Sequence, residues 1–363
     1  MTVPPPPPII AVTSPANARV VEIERFAPGP VTCDGKALAG AVLVAPMPNV
    51  VSRFRAASPS QPLPVLRYVF TIDANGQPGT IRPDTSPVQP LFYLDRSDLA
   101  PSIAASRFAA GQQRTCTVDF ATSLTAVAEV PLQTLYALAS RPGPLAAPPE
   151  VYDRIRPSGS TCVRGPGQFR ALNNPAFETI AVPPGDWAWA FFAFDVMPDG
   201  TPRNVRLLGS SATTALDRAG ENALARNRYA PGTARIGCLY HYFRVGSRPA
   251  VPADFPADTP PGTDDTIPAC RIDPKTISGL LSGQAYPRAF QRRRIEGVAA
   301  VRYDTAPWGA IGNVRVLASE PAAAFGETAV AALTSAAVLP SETGYRGCVT
   351  RVRFRLPAGT HHG

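Results

Sequence analysis

Apolar and polar positions alternate most clearly near the C-terminal end. After Gly297, residues Val298 to Thr305 read as a strand with Val301 and Tyr303 on one face. Pro307-Trp308-Gly309 is turn chemistry, so the next strand, Asn313 to Ser319, is expected antiparallel to the first. The period then lengthens. Phe325, Ala329, Ala332, Leu333 and Ala336 recur at three- and four-residue spacing, which predicts a helix over about 322–337 stopped by Pro340. A last strand, Cys348 to Leu356, turns Val352, Phe354 and Leu356 inward and Arg351, Arg353 and Arg355 outward. A short helix from Tyr286-Pro287 to about Arg294 precedes these elements.

The same order appears earlier: strands at 187–197 and 204–208, a helix at 216–228 and a strand at 236–245. The stretch from Pro198 to Ser210 aligns without a gap on Pro307 to Ser319, and the shift also carries Asp195 onto Asp304, Leu216 onto Phe325 and Leu224 onto Leu333. A period of this size is that of a small domain and exceeds the 20–50 residues of a solenoid unit. A weaker third copy precedes both. Phe70 to Gly76, Pro78, Ile81-Arg82 and Ser86 follow the order of Phe194, Gly200, Pro202, Val205-Arg206 and Ser210, and Leu94-Asp95-Arg96 resembles Leu216-Asp217-Arg218. The expected fold class is therefore α+β: three tandem modules, each a small antiparallel sheet with helices on one face. The boundaries read as a Pro-rich leader at 1–30, a divergent module at 31–140, a second at 151–247, a Pro-rich linker at 248–268, a third module at 269–358 and a tail at 359–363. A further Pro-rich joint falls at about 141–150.

The cysteines follow the repeat. Each copy has one before its first strand and one in its last, which pairs Cys33 with Cys116, Cys162 with Cys238 and Cys270 with Cys348. Six cysteines allow fifteen pairings, and the repeat singles out this one. Each bridge closes a loop of roughly 75–85 residues, worth ~4 kcal/mol in the chain-entropy model. Wide spacing, an even count and no CxxC pair argue for an oxidising compartment rather than a metal site.

Composition adds limits. The 363 residues include 43 prolines and carry a net charge of +8, nearly all from arginine, since Lys36 and Lys275 are the only lysines. The arginines form no dense block and no aromatic stacking pattern accompanies them, so they read as a solvated surface and no nucleic-acid partner is expected. No apolar run reaches membrane-spanning length. Residues 1–20 lack the parts of a signal peptide; Pro4 to Pro8 read as a Pro-rich leader or the start of a processed chain. No catalytic residue, metal site or cofactor is expected. His241 is the one histidine outside the tail and lies between Tyr240 and Tyr242 in a strand, Gly165-Pro166-Gly167 lacks the lysine of a phosphate loop, and Gly209-Ser210-Ser211 lacks a nucleophile elbow. Trp187 and Trp189 read as core in preference to a stacking platform.

The third copy resembles the TonB C-terminal domain family. Its carriers are Tyr286-Pro287, Ile295-Glu296-Gly297, the Gly309 turn, Asn313 to Ser319, Ala331-Ala332-Leu333 and Val352 to Leu356. The resemblance is good over 286–357, fair over 187–245 and weak over 62–128. It implies residence in the periplasm of a Gram-negative bacterium, and binding in which a partner's extended peptide adds a strand to a sheet edge. On that basis Val349, Thr350, Arg351, Arg353 and Arg355 are the candidate partner-binding residues. TonB itself passes energy from an inner-membrane motor to outer-membrane transporters. This chain departs from that plan in having three modules, disulfides and no transmembrane helix. The expected function is that of a scaffold or interaction protein of a cell-envelope assembly. The alternatives are a TonB-type transducer, and binding to peptidoglycan or another wall polymer through the outward arginines.

Overall fold

The computed structural model describes residues 19–54, 63–84, 94–143, 147–163, 165–248, 263, 266–272 and 286–356. In chain order the strands are β1 (Arg19–Pro28), β2 (Thr32–Cys33), β3 (Lys36–Ala37), β4 (Asn49–Phe54), β5 (Val65–Ile72) and β6 (Pro78–Pro83). Helix α1 (Leu99–Ala105), β7 (Arg114–Ala126), α2 (Leu132–Ala139), α3 (Pro149–Ile155) and β8 (Phe169–Ala171) follow. Then come β9 (Trp187–Val196), β10 (Pro202–Ser210), α4 (Thr214–Arg226), β11 (Arg228–Tyr229) and β12 (Arg235–Val245). The chain closes with α5 (Arg288–Arg292), β13 (Gly297–Thr305), β14 (Ile311–Glu320), α6 (Ala323–Thr334) and β15 (Tyr345–Phe354).

Three times the order strand–strand–helix–strand builds an antiparallel sheet with its first strand in the middle: β6-β5-β7, β10-β9-β12 and β14-β13-β15. The registers correspond. Phe70 lies opposite Cys116, Phe194 opposite Cys238 and Tyr303 opposite Cys348. The hairpin turns correspond too. Gly76, Gly200 and Gly309 have φ of +75°, +85° and +92°, and their carbonyls accept from the amides of Phe108, Tyr229 and Val338 beyond each helix. A Cβ at Gly200 would lie 2.0 Å from the Tyr229 carbonyl oxygen, so close approach and left-handed backbone both demand glycine. The structure pairs Cys33 with Cys116, Cys162 with Cys238 and Cys270 with Cys348.

Three expectations need correction. Residues 19–28, read as part of a leader, form β1. This strand and β2 pair antiparallel with β7, and β4 and β3 pair outside them, so the first sheet has seven strands. The second sheet has helices on both faces. Helix α4 packs on one side, against Phe192 and Phe194, while α2 and α3 cover the other, with Tyr136 stacked on Phe191 at 5.1 Å. The near-continuous apolar run Trp187 to Phe194 is what burial on both faces requires. Trp189 is buried in that second interface, with Trp187 half-buried beside it.

The third correction concerns independence. One hydrophobic core joins the first and third sheets: Phe70, Leu99, Ile103 and Phe120 belong to the same cluster as Phe290, Tyr303, Phe325 and Phe354. The joints are structured where described. Helix α3 begins at Pro149, inside the stretch read as a joint at 141–150, and Arg248, at the head of the stretch read as a linker, is buried. Most of that second stretch, 249–262 and 264–265, lies outside the described residues. Two arginines span the units. Arg248 donates to the carbonyls of Ala104 and Pro78, while its own backbone pairs with Arg294 and Glu296. Arg293, fully buried, forms an ion pair with Asp98 and donates to the carbonyls of Ala45 and Gly185. A solvated-surface reading fails for these two because the planar guanidinium satisfies several acceptors at once.

Candidate functional site

The outer edge of the closing strand is the place to look for an added strand, and the three copies treat it differently. On β7 the edge is filled: β1 pairs over Glu22↔Ala126 to Pro28↔Phe120, and β2 brings Cys33 opposite Cys116. On β15 the edge is met, among the described residues, at Val349. Its amide donates to Thr263 Oγ1 at 2.7 Å and its carbonyl accepts from the Thr263 amide at 2.8 Å. On β12 the edge is met near its start, where Ile236 exchanges bonds with Thr161 and the Gly237 carbonyl accepts from Ser160.

The candidate residues of β15 therefore divide. Both polar backbone groups of Val349 point outward, so by the alternation of an antiparallel strand those of Arg351 and Arg353 also face out and those of Thr350 face β13. Thr350 is only 5% exposed, opposite Val301, and Val349 is buried. Arg351, Arg353 and Arg355 are exposed. Arg351 and Arg353 lie on the sheet face of Ala300 and Val298, where Arg302 also stands opposite Arg315. The face turned away from α6 is thus rich in positive charge.

The strand ends are fixed by a clamp that repeats. Asp195 accepts from the Asn204 side chain and the Gly237 amide, and Asp304 accepts from Asn313 and the Gly347 amide in the same way. These bonds hold the Asp304 carboxyl below its ordinary pKa, the Asn313 bond first. Asn204 and Asn313 have φ near +50°, at bulges in the edge strands β10 and β14. In the first sheet Thr71 and Thr80 stand where this pair would be, and Thr80 instead donates to Glu320 from the third.

His241 lies in β12, stacked at 4° on Phe191, and burial pushes its imidazole down to about 4. Among the described residues no three His, Cys, Asp or Glu side chains gather as a metal would require. No helix among them is long and apolar enough to cross a membrane. The feature that reading the sequence missed is the edge of β12. Its signal is the uncharged aromatic run Leu239 to Phe243 in a closing strand, where the equivalent strand of the third copy carries alternating arginines.

No curated protein matches the chain. A family model does match part of it, over the third sheet and its preceding helix: residues 282–356 are similar to the Gram-negative bacterial TonB protein C-terminal.

Proposed function

We propose that this chain is a non-enzymatic periplasmic protein-binding scaffold, made of three units of the TonB C-terminal type and holding envelope partners by strand addition to its sheet edges. The observation that carries the reading is the first sheet. There the closing strand β7 already bears an added antiparallel strand, β1, from the chain itself. The equivalent strand β15 lies in the segment that matches the family. Main-chain bonds along such an edge supply affinity and alternate side chains supply selectivity. Arg353 and Arg355 stand beside that edge and favour a partner segment carrying acidic residues. Three disulfides suit an oxidising compartment and a body that must keep its shape while bound.

The test is affinity capture of the tagged full chain from periplasm, compared with Arg353→Pro. Proline at 353 removes an outward amide and leaves the bonds to β13 in place. Loss of a specific partner with unchanged thermal unfolding supports strand addition at β15. The same partner retained by the variant at equal yield would refute it.

A further inference from the structure

Several sheet edges in this molecule carry a guard. β1 and β2 lie on β7, Thr263 meets β15, and the Pro321 carbonyl and Glu320 carboxylate meet β6 at Ile81 and Thr80. On β12 the guard stops at Gly237. From Leu239 to Arg244 the outer edge meets no hydrogen-bonding partner among the described residues. Natural proteins blunt such an edge with charge, proline or a covering segment. Leu239-Tyr240-His241-Tyr242-Phe243 has neither an acidic or basic charge nor a proline, and no segment among the described residues pairs along its outer edge.

We propose that this edge pairs with the same edge of a second copy of the chain, antiparallel about a two-fold axis at His241. The segment reads almost alike in both directions from that residue. Pairing sets Tyr240 opposite Tyr242 of the second copy, and Leu239 opposite its Phe243. Aromatic pairs across strands stabilise such a junction. No like charges meet. His241, held neutral by burial, faces its own copy, and Arg244 comes opposite the disulfide-bonded Cys238. An isologous contact of this kind closes at two copies.

The ground beside the edge fits the pairing. Side chains opposite one another in an antiparallel pair share a face. Leu239 and Phe243 both lie on the face covered by α2 and α3. A cavity of about 330 Å³ opens there, lined by Tyr152, Asp153, Arg156, Cys162, Gly237 and Leu239. The register that puts Phe243 of the second copy opposite Leu239 carries its ring to this cavity, and the two-fold axis makes the contact twice. The two three-stranded sheets then form one continuous sheet.

Light scattering on the oxidised full chain, across a concentration series, tests the association; the expected mass is twice that of one chain. The register is tested by cysteine pairs. An equal mixture of Leu239→Cys and Phe243→Cys chains should give an intermolecular disulfide that neither variant gives alone, and His241→Cys should link to itself. Circular dichroism on each variant establishes that it is folded. A monomer at every concentration overturns the proposal and leaves the edge to an extended segment of another protein. A dimer whose folded cysteine variants do not cross-link in this pattern overturns it as well.

Discussion

Glu24 is fully buried in β1, with Oε1 unpartnered among the described residues and Oε2 accepting from the Asp95 amide. Burial raises its pKa from 4.5 to about 7, against the Asp95 amide bond that lowers it. A carboxyl whose folded pKa is raised binds more protons folded than unfolded, so its contribution falls as pH climbs from 4.5 through 7. His241 acts the other way. Its folded pKa is depressed to about 4, so stability is lost as pH falls from 6.5 towards 4. Urea titration at pH 8 should find Glu24→Gln more stable than the parent by up to about 3 kcal/mol, with the gain gone at pH 4.5. His241→Phe should flatten the decline between pH 6.5 and 4 and do little at pH 8; an unchanged acid limb would contradict the burial of the imidazole. Neither effect was legible in the sequence. Glu24 stands among charged neighbours, Glu22 and Arg25, that give no sign of its burial, and a histidine between two tyrosines carries no sign of what stacks on it.

At the scale of elements, much was legible because local chemistry repeats. The Gly309 turn, the strands on either side and the helix before Pro340 follow from periodicity and turn residues, and their bounds shift by only a few residues in the structure. The cysteine pairs were legible because the repeat aligns them. What the turn glycines do was hidden: their carbonyls tie each hairpin to the segment beyond the helix. Gly309→Ala places a Cβ 2.3 Å from the Val338 carbonyl oxygen at φ +92° and should cost about 1–3 kcal/mol. Gly312→Ala, three residues on with open space around it, should stay within about 0.5 kcal/mol. Equal unfolding midpoints for the two variants would remove the turn from the list of fold determinants.

At the scale of the whole molecule the sequence was least informative, because contacts between copies leave no periodic trace. Arg293 and Arg248 look like any surface arginine in a chain of scattered arginines, yet they join the units, and Asp98 reads as an ordinary loop acid. Removing Arg293 strands a buried Asp98 carboxylate, so Arg293→Ala should cost about 3–5 kcal/mol. Arg67→Ala, which breaks an exposed, solvent-screened pair with Asp119, should leave the unfolding midpoint close to that of the parent. The core common to the first and third sheets also predicts that these two unfold in a single calorimetric transition, where independent modules would unfold separately.

Residue-resolved hydrogen exchange, on the free chain and on the chain with its captured partner, tests strand addition most directly. The account predicts that the Arg353 amide exchanges fast when free and slows when bound, while the Thr350 amide, bonded towards β13, is slow in both. Protection confined to helices or to the arginine side of the sheet, with Arg353 still fast in the complex, would contradict it.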